Sequence, residues 1–457
     1  MATNVRRQQA SFNPAAFETL RFLTREIDDH GRVTLRYALD HAIEFVEEFD
    51  LPVRERLSPV VRDSVDGLLS LLHWVAGVSY FKTAAPPTVE FQLSAPPPAT
   101  ATLLDALYSE GLGEFAYKNK LPALPRPVFP VGPVTERRRI VEDRSHPRVL
   151  VPVGGGKDSA VALEVVRRSG CELALFSVGD APPIVRTAAL ADLPHLICAR
   201  RLDPGLGALN DMGALNGHIP ITAIVSCVAM LTAALNGFNS VAMANERSAS
   251  NGNVAWDGID VNHQFSKSLY AERLLRSAAA EAAPGLELFS VLRPASELAI
   301  ARAFARLPRY HAAFTSCNAI FRLDPRLRGT SWCCDCPKCR FVFLVLAPFS
   351  DPEHLREVFG RDLLDVEAQF DGFALLTATG GHKPFECVGE EEESLAAIRM
   401  LATQSRWREH CVVRRLVAEV LPRFSSNVGD PAKVLALSGE HDVPDYLLRD
   451  VTALLGA

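Results

Sequence analysis

The sequence predicts an α/β protein whose centre is a doubly wound, mostly parallel sheet. From about residue 145, short apolar segments rich in branched residues alternate with longer segments of helical periodicity, which is the order of βαβ units. The first apolar segment, 149–153, runs into three consecutive glycines and then a helical segment, an arrangement typical of phosphate-binding loops. Both observations favour parallel strands covered by helices.

The 457 residues divide into three predicted parts. Residues 1–145 are expected to form a mainly helical domain, with helices at 35–49 and 60–75. Residues 146–350 carry the glycine loop and a cysteine knuckle, and residues 351–457 form a mixed region that contributes to the same site. Strands are predicted at 149–153, 173–178, 195–199, 240–244 and 286–291, and helices at 160–168, 184–190, 219–235, 267–280, 296–305, 395–402 and 412–420.

Composition excludes several classes of protein. Lys and Arg number 48 against 54 Asp and Glu, a net charge of −6, so no chain-wide basic field exists to attract nucleic acid. The N-terminus has no apolar secretory segment, and the longest nearly apolar run, 219–235, is too short for a membrane span. Ten cysteines are too few for a disulfide framework, and four crowd together. We therefore expect a cytoplasmic protein without nucleic-acid or membrane partners.

The glycine loop predicts a bound phosphate, because glycine amides and a helix N-terminus both favour an anion. A Walker A loop needs Ser or Thr after the lysine, where this chain has Asp158. A dinucleotide fingerprint would need glycine at position 159, which is Ser159. The candidate phosphate-binding residues are Gly154, Gly155, Gly156, Lys157, Asp158 and Ser159.

These residues resemble the pyrophosphate loop, or PP-loop, of the ATP pyrophosphatase superfamily, whose pattern is S-G-G-x-D-S, with Gly154 in place of the leading serine. The resemblance implies the doubly wound fold of that superfamily and cleavage of ATP between its α and β phosphates. Gly155, Gly156 and Ser159 would hold the pyrophosphate. Asp158 would face Mg²⁺, while a lysine fills the variable position.

Four thiols within seven positions, 333–339, predict a site for a soft metal cation. Cys333, Cys336 and Cys339 form a regular series with two residues between successive cysteines. The fourth ligand is expected to be Cys317, with Cys334 as the alternative. Structural zinc is the predicted occupant, and an iron–sulfur cluster is the alternative.

Ionisable residues also crowd the glycine-bracketed segment 381–389, which contains His382, Lys383, Glu386 and Cys387. A nearby cation lowers the pKa of a thiol, so this segment is a candidate anion site or proton-transfer site. The alternative is a buried Cys387 beside a surface lysine. The acidic run 390–393 that follows is expected to begin a helix and to need no ligand.

Three further segments, 243–249, 261–268 and 315–318, join the glycine loop, the cysteine knuckle and segment 383–389 in one pattern. Together they resemble the MurL family, the UDP-N-acetylmuramoyl-L-alanyl-L-glutamate epimerases of bacterial cell-wall synthesis. The resemblance runs from about residue 145 to 390.

The resemblance implies an ATP-dependent epimerisation of the terminal glutamate through an acyl-adenylate, with release of AMP and pyrophosphate. Cys387 is the preferred acid or base with Glu386 as its assistant, and His263 is the competing choice. The residues expected to bind the UDP-linked muramoyl dipeptide are Asn245, Glu246, Arg247, Lys267 and Lys383. The alternatives are a ligase or transferase of the same superfamily and a nucleotide-binding regulator that does not turn over ATP.

Overall fold

The computed structural model describes residues 11–137, 147–322, 326, 328–379 and 383–456. His382, one of the candidates in segment 381–389, lies outside these residues. Across the described part of the chain, every helix is too short or too polar to cross a membrane.

A nine-stranded sheet forms the centre of the described structure, and a two-stranded hairpin lies beside it. The strands are β1 (Thr19–Ile27), β2 (Arg32–Leu39), β3 (Ile43–Asp50), β4 (Thr88–Phe91), β5 (Arg148–Pro152), β6 (Glu172–Val178), β7 (His195–Arg201), β8 (Ser240–Met243), β9 (Val254–Trp256), β10 (Ile259–Val261) and β11 (Glu287–Ser290). The large sheet has the order β11-β8-β5-β6-β7-β3-β2-β1-β4. Strands β5, β6, β7, β8 and β11 are parallel, whereas β7, β3, β2 and β1 pair antiparallel.

Helices cover both faces of the large sheet. They are α1 (Pro59–Ser64), α2 (Asp66–Ala76), α3 (Val78–Phe81), α4 (Pro98–Tyr108), α5 (Gly113–Lys118), α6 (Lys157–Arg168), α7 (Pro182–Ala191), α8 (Gly205–Asp211), α9 (Ile221–Leu235), α10 (Leu269–Ala282), α11 (Glu297–Ala305), α12 (Pro337–Leu346), α13 (Pro352–Phe359), α14 (Phe370–Ala374), α15 (Glu391–Thr403), α16 (Cys411–Arg415), α17 (Pro431–Leu435) and α18 (Asp445–Leu455). The alternation of strands and helices predicted between 149 and 305 is confirmed, as are the helices that begin at the acidic run and near residue 412.

The predicted helix at 35–49 is wrong, because β2 and β3 occupy this segment. Along β2 the side chains of Val33, Leu35 and Tyr37 are fully buried while the residues between them are more exposed, a period of two that belongs to a strand. The helix predicted at 60–75 is confirmed by α1 and α2. The N-terminal part is therefore mixed rather than mainly helical.

Strand β3 pairs with β7, so the N-terminal strands extend the same sheet that carries the glycine loop. The division of the chain at residue 145 stays a prediction.

Each face of the sheet has its own apolar core. Leu150 of β5 packs into the core that contains α2, α4, α9 and α10, while its neighbours Val149 and Val151 pack into the core that contains α6, α11, α12 and α15. Successive side chains of a strand point to opposite faces, so a strand covered on both sides is apolar throughout. This double cover fixes the position of β5, and with it the loop that follows.

Candidate active site

A cavity of about 480 Å³ lies where strands β5, β6 and β8 end at their carboxyl sides. Ligands of open α/β sheets bind at such an edge. Its wall includes seven residues that the sequence singled out, namely Gly154, Gly156, Asp158, Ser159, Asn245, Lys267 and Cys387. The structure therefore brings the glycine loop, the segment after β8 and the cysteine of segment 381–389 into one site.

The backbone conformation of the glycine loop requires glycine at position 155 but leaves room for a side chain at position 154. Gly155 has φ +77°, and a Cβ there would lie 2.6 Å from the carbonyl carbon of Pro183, so a larger residue would be strained and obstructed. A Cβ on Gly154 would instead meet no atom within 4 Å. Gly156 caps the N-terminus of α6, whose first amides have no partner within the helix. The loop thus offers an open wall beside a helix N-terminus.

Lys157 turns away from the cavity. Its ammonium group is fully buried and pairs with the carboxylates of Asp158 and Glu297. Burial opposes ionisation of Asp158, yet the ammonium groups of Lys157 and Lys338 hold its pKa below the usual value. Sequence reasoning placed the Lys157 charge in the loop and missed Glu297, because the pairing partner lies 140 residues away.

Cys387 lies among cationic groups. The Nζ atom of Lys267 is 3.9 Å from its sulfur, the ammonium group of Lys338 donates to its backbone carbonyl, and His263 lies close enough to act on the pKa of the thiol. Burial alone would raise the pKa of the thiol, but the charge of Lys267 and the hydrogen bond from His263 outweigh it and lower that pKa to about 7. Cys387 is therefore partly a thiolate at neutral pH.

His263 is held on its other side by Glu114 of α5. Its Nδ1 atom contacts the Glu114 carboxylate, which also pairs with Lys118 at 2.7 Å. Burial lowers the pKa of His263, but the hydrogen bonds to Cys387 and Glu114 prevail and raise it to about 9. The ring of His218 lies against that of His263, with centroids 4.3 Å apart. Neither Glu114 nor His218 belongs to a recognisable motif, so no sequence signal pointed to them.

Glu246 and Arg247 support the wall rather than line it, whereas Asn245 lines it. Arg247 lies outside the cavity lining and donates to the carbonyls of Val434 and Ala436, which tie α17 to the loop after β8. Glu246 is buried, and its charge acts on Lys267. Asn245 is buried at the cavity wall and donates to the hydroxyl of Ser290 at 3.0 Å.

Segment 383–389 is tied to the cysteine knuckle. Glu386 accepts a hydrogen bond from the side-chain amide of Asn318, which follows Cys317 directly. Burial raises the pKa of Glu386. Lys383 is buried. Burial raises the pKa of Glu390, and the charges of Arg247 and Lys383 oppose part of that rise. The predicted catalytic and substrate-binding roles of these residues stay predictions.

Four cysteine sulfurs lie within 4.8 Å of one another, those of Cys317, Cys333, Cys336 and Cys339. The sulfur of Cys339 is 3.7 Å from that of Cys333 and 3.5 Å from that of Cys336. Zinc bonded to four thiolates at about 2.3 Å requires sulfurs about 3.8 Å apart, so these residues fit a single tetrahedral ion. Cys334 turns away, with φ +59° and its sulfur 3.2 Å from the carbonyl oxygen of Phe359. Of the two alternatives for the fourth ligand, the geometry favours Cys317.

Two family models match most of the chain. A family model described as the MurL N-terminal domain matches residues 11–291, and one described as the MurL C-terminal domain matches residues 313–429. Curated relatives named UDP-N-acetyl-alpha-D-muramoyl-L-alanyl-L-glutamate epimerase come from three bacteria.

The protein from Micromonospora sp. is 46% identical over 91% of this chain and 93% of its own length. That from Salinispora tropica is 48% identical over 85% and 86%, and that from Xanthomonas oryzae pv. oryzae is 40% identical over 97% and 99%. The chain therefore belongs to the MurL family, and it is an enzyme of the isomerase class.

Proposed function

We propose that this chain converts the terminal L-glutamate of UDP-N-acetylmuramoyl-L-alanyl-L-glutamate to D-glutamate in peptidoglycan synthesis, with ATP as cosubstrate. The names of its relatives supply the substrate. The observation that carries the proposal is that one cavity holds both the glycine loop and the Cys387 thiol, a phosphate site beside a proton acceptor.

ATP would make the Cα proton removable. A free carboxylate already carries negative charge, which opposes formation of a carbanion on the carbon beside it. An oxygen of that carboxylate attacks the α-phosphorus of ATP, the bond to the bridging oxygen of the β-phosphate breaks, and pyrophosphate leaves. The resulting mixed anhydride is uncharged at the carbonyl and withdraws electrons, so the enolate becomes reachable.

The glycine loop would hold the pyrophosphate of ATP in the manner of a PP-loop. Gly154 faces open space, Ser159 lines the cavity, and the N-terminus of α6 favours an anion at this wall. The carboxylate of Asp158 also lines the cavity, and it would hold Mg²⁺, which when bound offsets phosphate charge. Lys157 contributes by pairing with Glu297 beneath the loop rather than by touching phosphate.

Cys387 would carry the proton. Its thiolate accepts the Cα proton of the acyl-adenylate, and a proton returned to the opposite face gives the D configuration. Water then hydrolyses the anhydride and yields a carboxylate and AMP. His263 stabilises the thiolate through its hydrogen bond, while Glu386 is directed to Asn318 and is the weaker candidate for this step.

The four-cysteine cluster would hold structural zinc, because the sulfurs enclose room for one ion rather than for a cluster of several irons. All four positions of a tetrahedral site are filled by thiolates, which leaves no open position for a substrate. The knuckle then supports Lys338 and Asn318, which contact segment 383–389.

The test is incubation of the protein with Mg-ATP and the UDP-linked dipeptide, with measurement of AMP release and of the configuration of the terminal glutamate. AMP together with D-glutamate is expected. ADP in place of AMP, or glutamate that stays L, would contradict the proposal. A ligase or transferase would retain an added nucleophile in its product, and a regulator would bind ATP without releasing AMP.

A Cys387→Ala variant separates the two half-reactions. It is expected to release AMP, because it retains the glycine loop, and to lose exchange of the Cα proton with solvent. Exchange at the wild-type rate would exclude Cys387 as the proton carrier.

A further inference from the structure

The N-terminal part of the chain reaches the active site through Glu114 of α5. We propose that Glu114 is a positioning residue that holds His263 in its imidazolium form against the Cys387 thiolate, so that Glu114, His263 and Cys387 act as one relay. The part of this inference that concerns turnover rests on the proposed function, whereas the relay itself is a property of the protein without substrate.

The geometry of the three side chains supports the relay. The Nδ1 atom of His263 contacts a carboxylate oxygen of Glu114, and the Cys387 thiol lies close enough to the ring to raise its pKa. A carboxylate only accepts hydrogen bonds, so the ring donates to Glu114 from Nδ1, and the negative charge of a Cys387 thiolate nearby favours the protonated ring. The Glu114 side chain is 5% exposed and that of His263 is 12% exposed, which keeps water from replacing either partner.

The backbone amide of His263 and the second carboxylate oxygen of Glu114 fix the relay in place. The amide of His263 donates to the side-chain oxygen of Asn253 at 2.9 Å, which anchors the residue beside β9. The other Glu114 oxygen pairs with Lys118 one helical turn along α5. Glu114 therefore has a fixed orientation, since both of its oxygens are engaged.

Among the charged groups around the relay, Glu114 is the carboxylate that contacts Nδ1 of His263. The groups that face the relay from neighbouring elements are Lys118, His218, Lys267, Lys338 and Glu386. Burial lowers the pKa of His218 to about 4, so its ring is neutral where it packs against His263. Burial raises the pKa of Glu114, but the hydrogen bond and charge of His263 lower it to about 2. Without Glu114, burial would favour the neutral ring, and the thiolate would lose a donor.

The experiment measures the pH dependence of iodoacetamide alkylation of Cys387 by peptide mass spectrometry in the full-length protein, without ATP or substrate. In Glu114→Gln the midpoint is expected to rise by about one pH unit, with a rate at pH 7 about fivefold lower. Glu114→Asp should restore part of the shift. Glu110→Gln, four residues earlier in the chain, is the matched control and should match wild type. An unchanged midpoint in a folded Glu114→Gln protein would overturn the relay.

Two further measurements keep the inference testable if Glu114→Gln does not fold. Histidine NMR of the wild-type protein, assigned by the signal lost in His263→Asn, should show His263 protonated at pH 7.5, and a neutral ring there would overturn the relay. Ligating atoms of Glu114, His218 and His263 lie within 4.8 Å of one another, so metal content is also measured. Metal beyond that of the cysteine cluster, absent from His218→Asn, would assign these residues to a metal site instead.

Failure of the proposed function is distinguishable from failure of the relay. If the protein released no AMP, the proposed function would fail, and the alkylation profile of Cys387 would still test the relay because it is measured without ATP or substrate. Normal epimerisation with an unshifted profile in Glu114→Gln would remove only the relay.

Discussion

Replacement of Lys267 by methionine is expected to raise the pKa of Cys387 from about 7 by one to three units. The Nζ atom lies 3.9 Å from the sulfur. At about 4 Å, two unit charges attract by about 1 kcal/mol in bulk water and by about 4 kcal/mol at an effective dielectric constant of 20. One pKa unit corresponds to about 1.4 kcal/mol, which gives the range. The pKa of Cys387 rises rather than falls because loss of the nearby cation disfavours the thiolate.

The assay is exchange of the substrate Cα proton with deuterated solvent as a function of pH, in the presence of Mg-ATP. The acidic limb of the profile should move from a midpoint near 7 to one between about 8 and 10, with much of the rate recovered at alkaline pH. Lys267→Arg keeps the charge and should stay within about half a unit of wild type. A folded Lys267→Met protein with an unshifted limb would refute the electrostatic account of Cys387.

Three further predictions concern the loop and the knuckle. Gly155→Ala should lower the free energy of unfolding by at least about 1–2 kcal/mol in denaturant titrations, whereas Gly154→Ala should unfold like wild type, because its Cβ would meet no atom within 4 Å. Equal behaviour of the two variants would contradict the loop geometry. Lys157→Met should cost up to about 3–5 kcal/mol in urea unfolding because it leaves the buried Glu297 carboxylate with only the more distant ammonium group of Lys338, and a cost near zero would refute the Lys157–Glu297 pairing. Cys317→Ser should lose bound zinc in elemental analysis while Cys334→Ser retains it, and the reverse would exchange their roles.

The parallel strands and their helices could be predicted because each is specified by local periodicity. In the segment after residue 145, apolar strands end at glycine or polar residues and helices begin at residues such as Ser296, whose hydroxyl caps α11. The helix that begins at the acidic run could also be predicted from local sequence, since Glu390 and Glu393 form a capping box at the start of α15. The helix prediction for segment 35–49 is wrong because apolar residues recur there at spacings of three and four as well as two, which fits both periods, and only pairing with β1 and β7 decides for strands.

The candidate site could be predicted only where its residues belong to a motif. The glycine loop and Cys387 meet in one cavity, as their shared family pattern implied. Glu114 and Glu297 could not be found this way, because their partners lie 149 and 140 residues away and a single glutamate in a helix carries no signal. The inward turn of Lys157 was likewise invisible, since it depends on the buried carboxylate that receives it.

The net charge of −6 has the same sign as the phosphates and carboxylates of the proposed substrate, so the local charges at the cavity decide whether an anion can bind there. Lys267 and Lys338 line the cavity together with Asp158, and the carboxylate of Glu297, which pairs with Lys338, lies behind the wall. Burying unpaired ammonium groups would destabilise the fold, so the free protein keeps them paired. The carboxyl group of Glu393 accepts a hydrogen bond from the backbone amide of Glu297. Burial and the charge of Glu390 raise the pKa of Glu393 to about 8, so at neutral pH this group adds little negative charge beside Glu297. The proposed anion binding would therefore depend on which charges face the cavity rather than on the net charge of the chain.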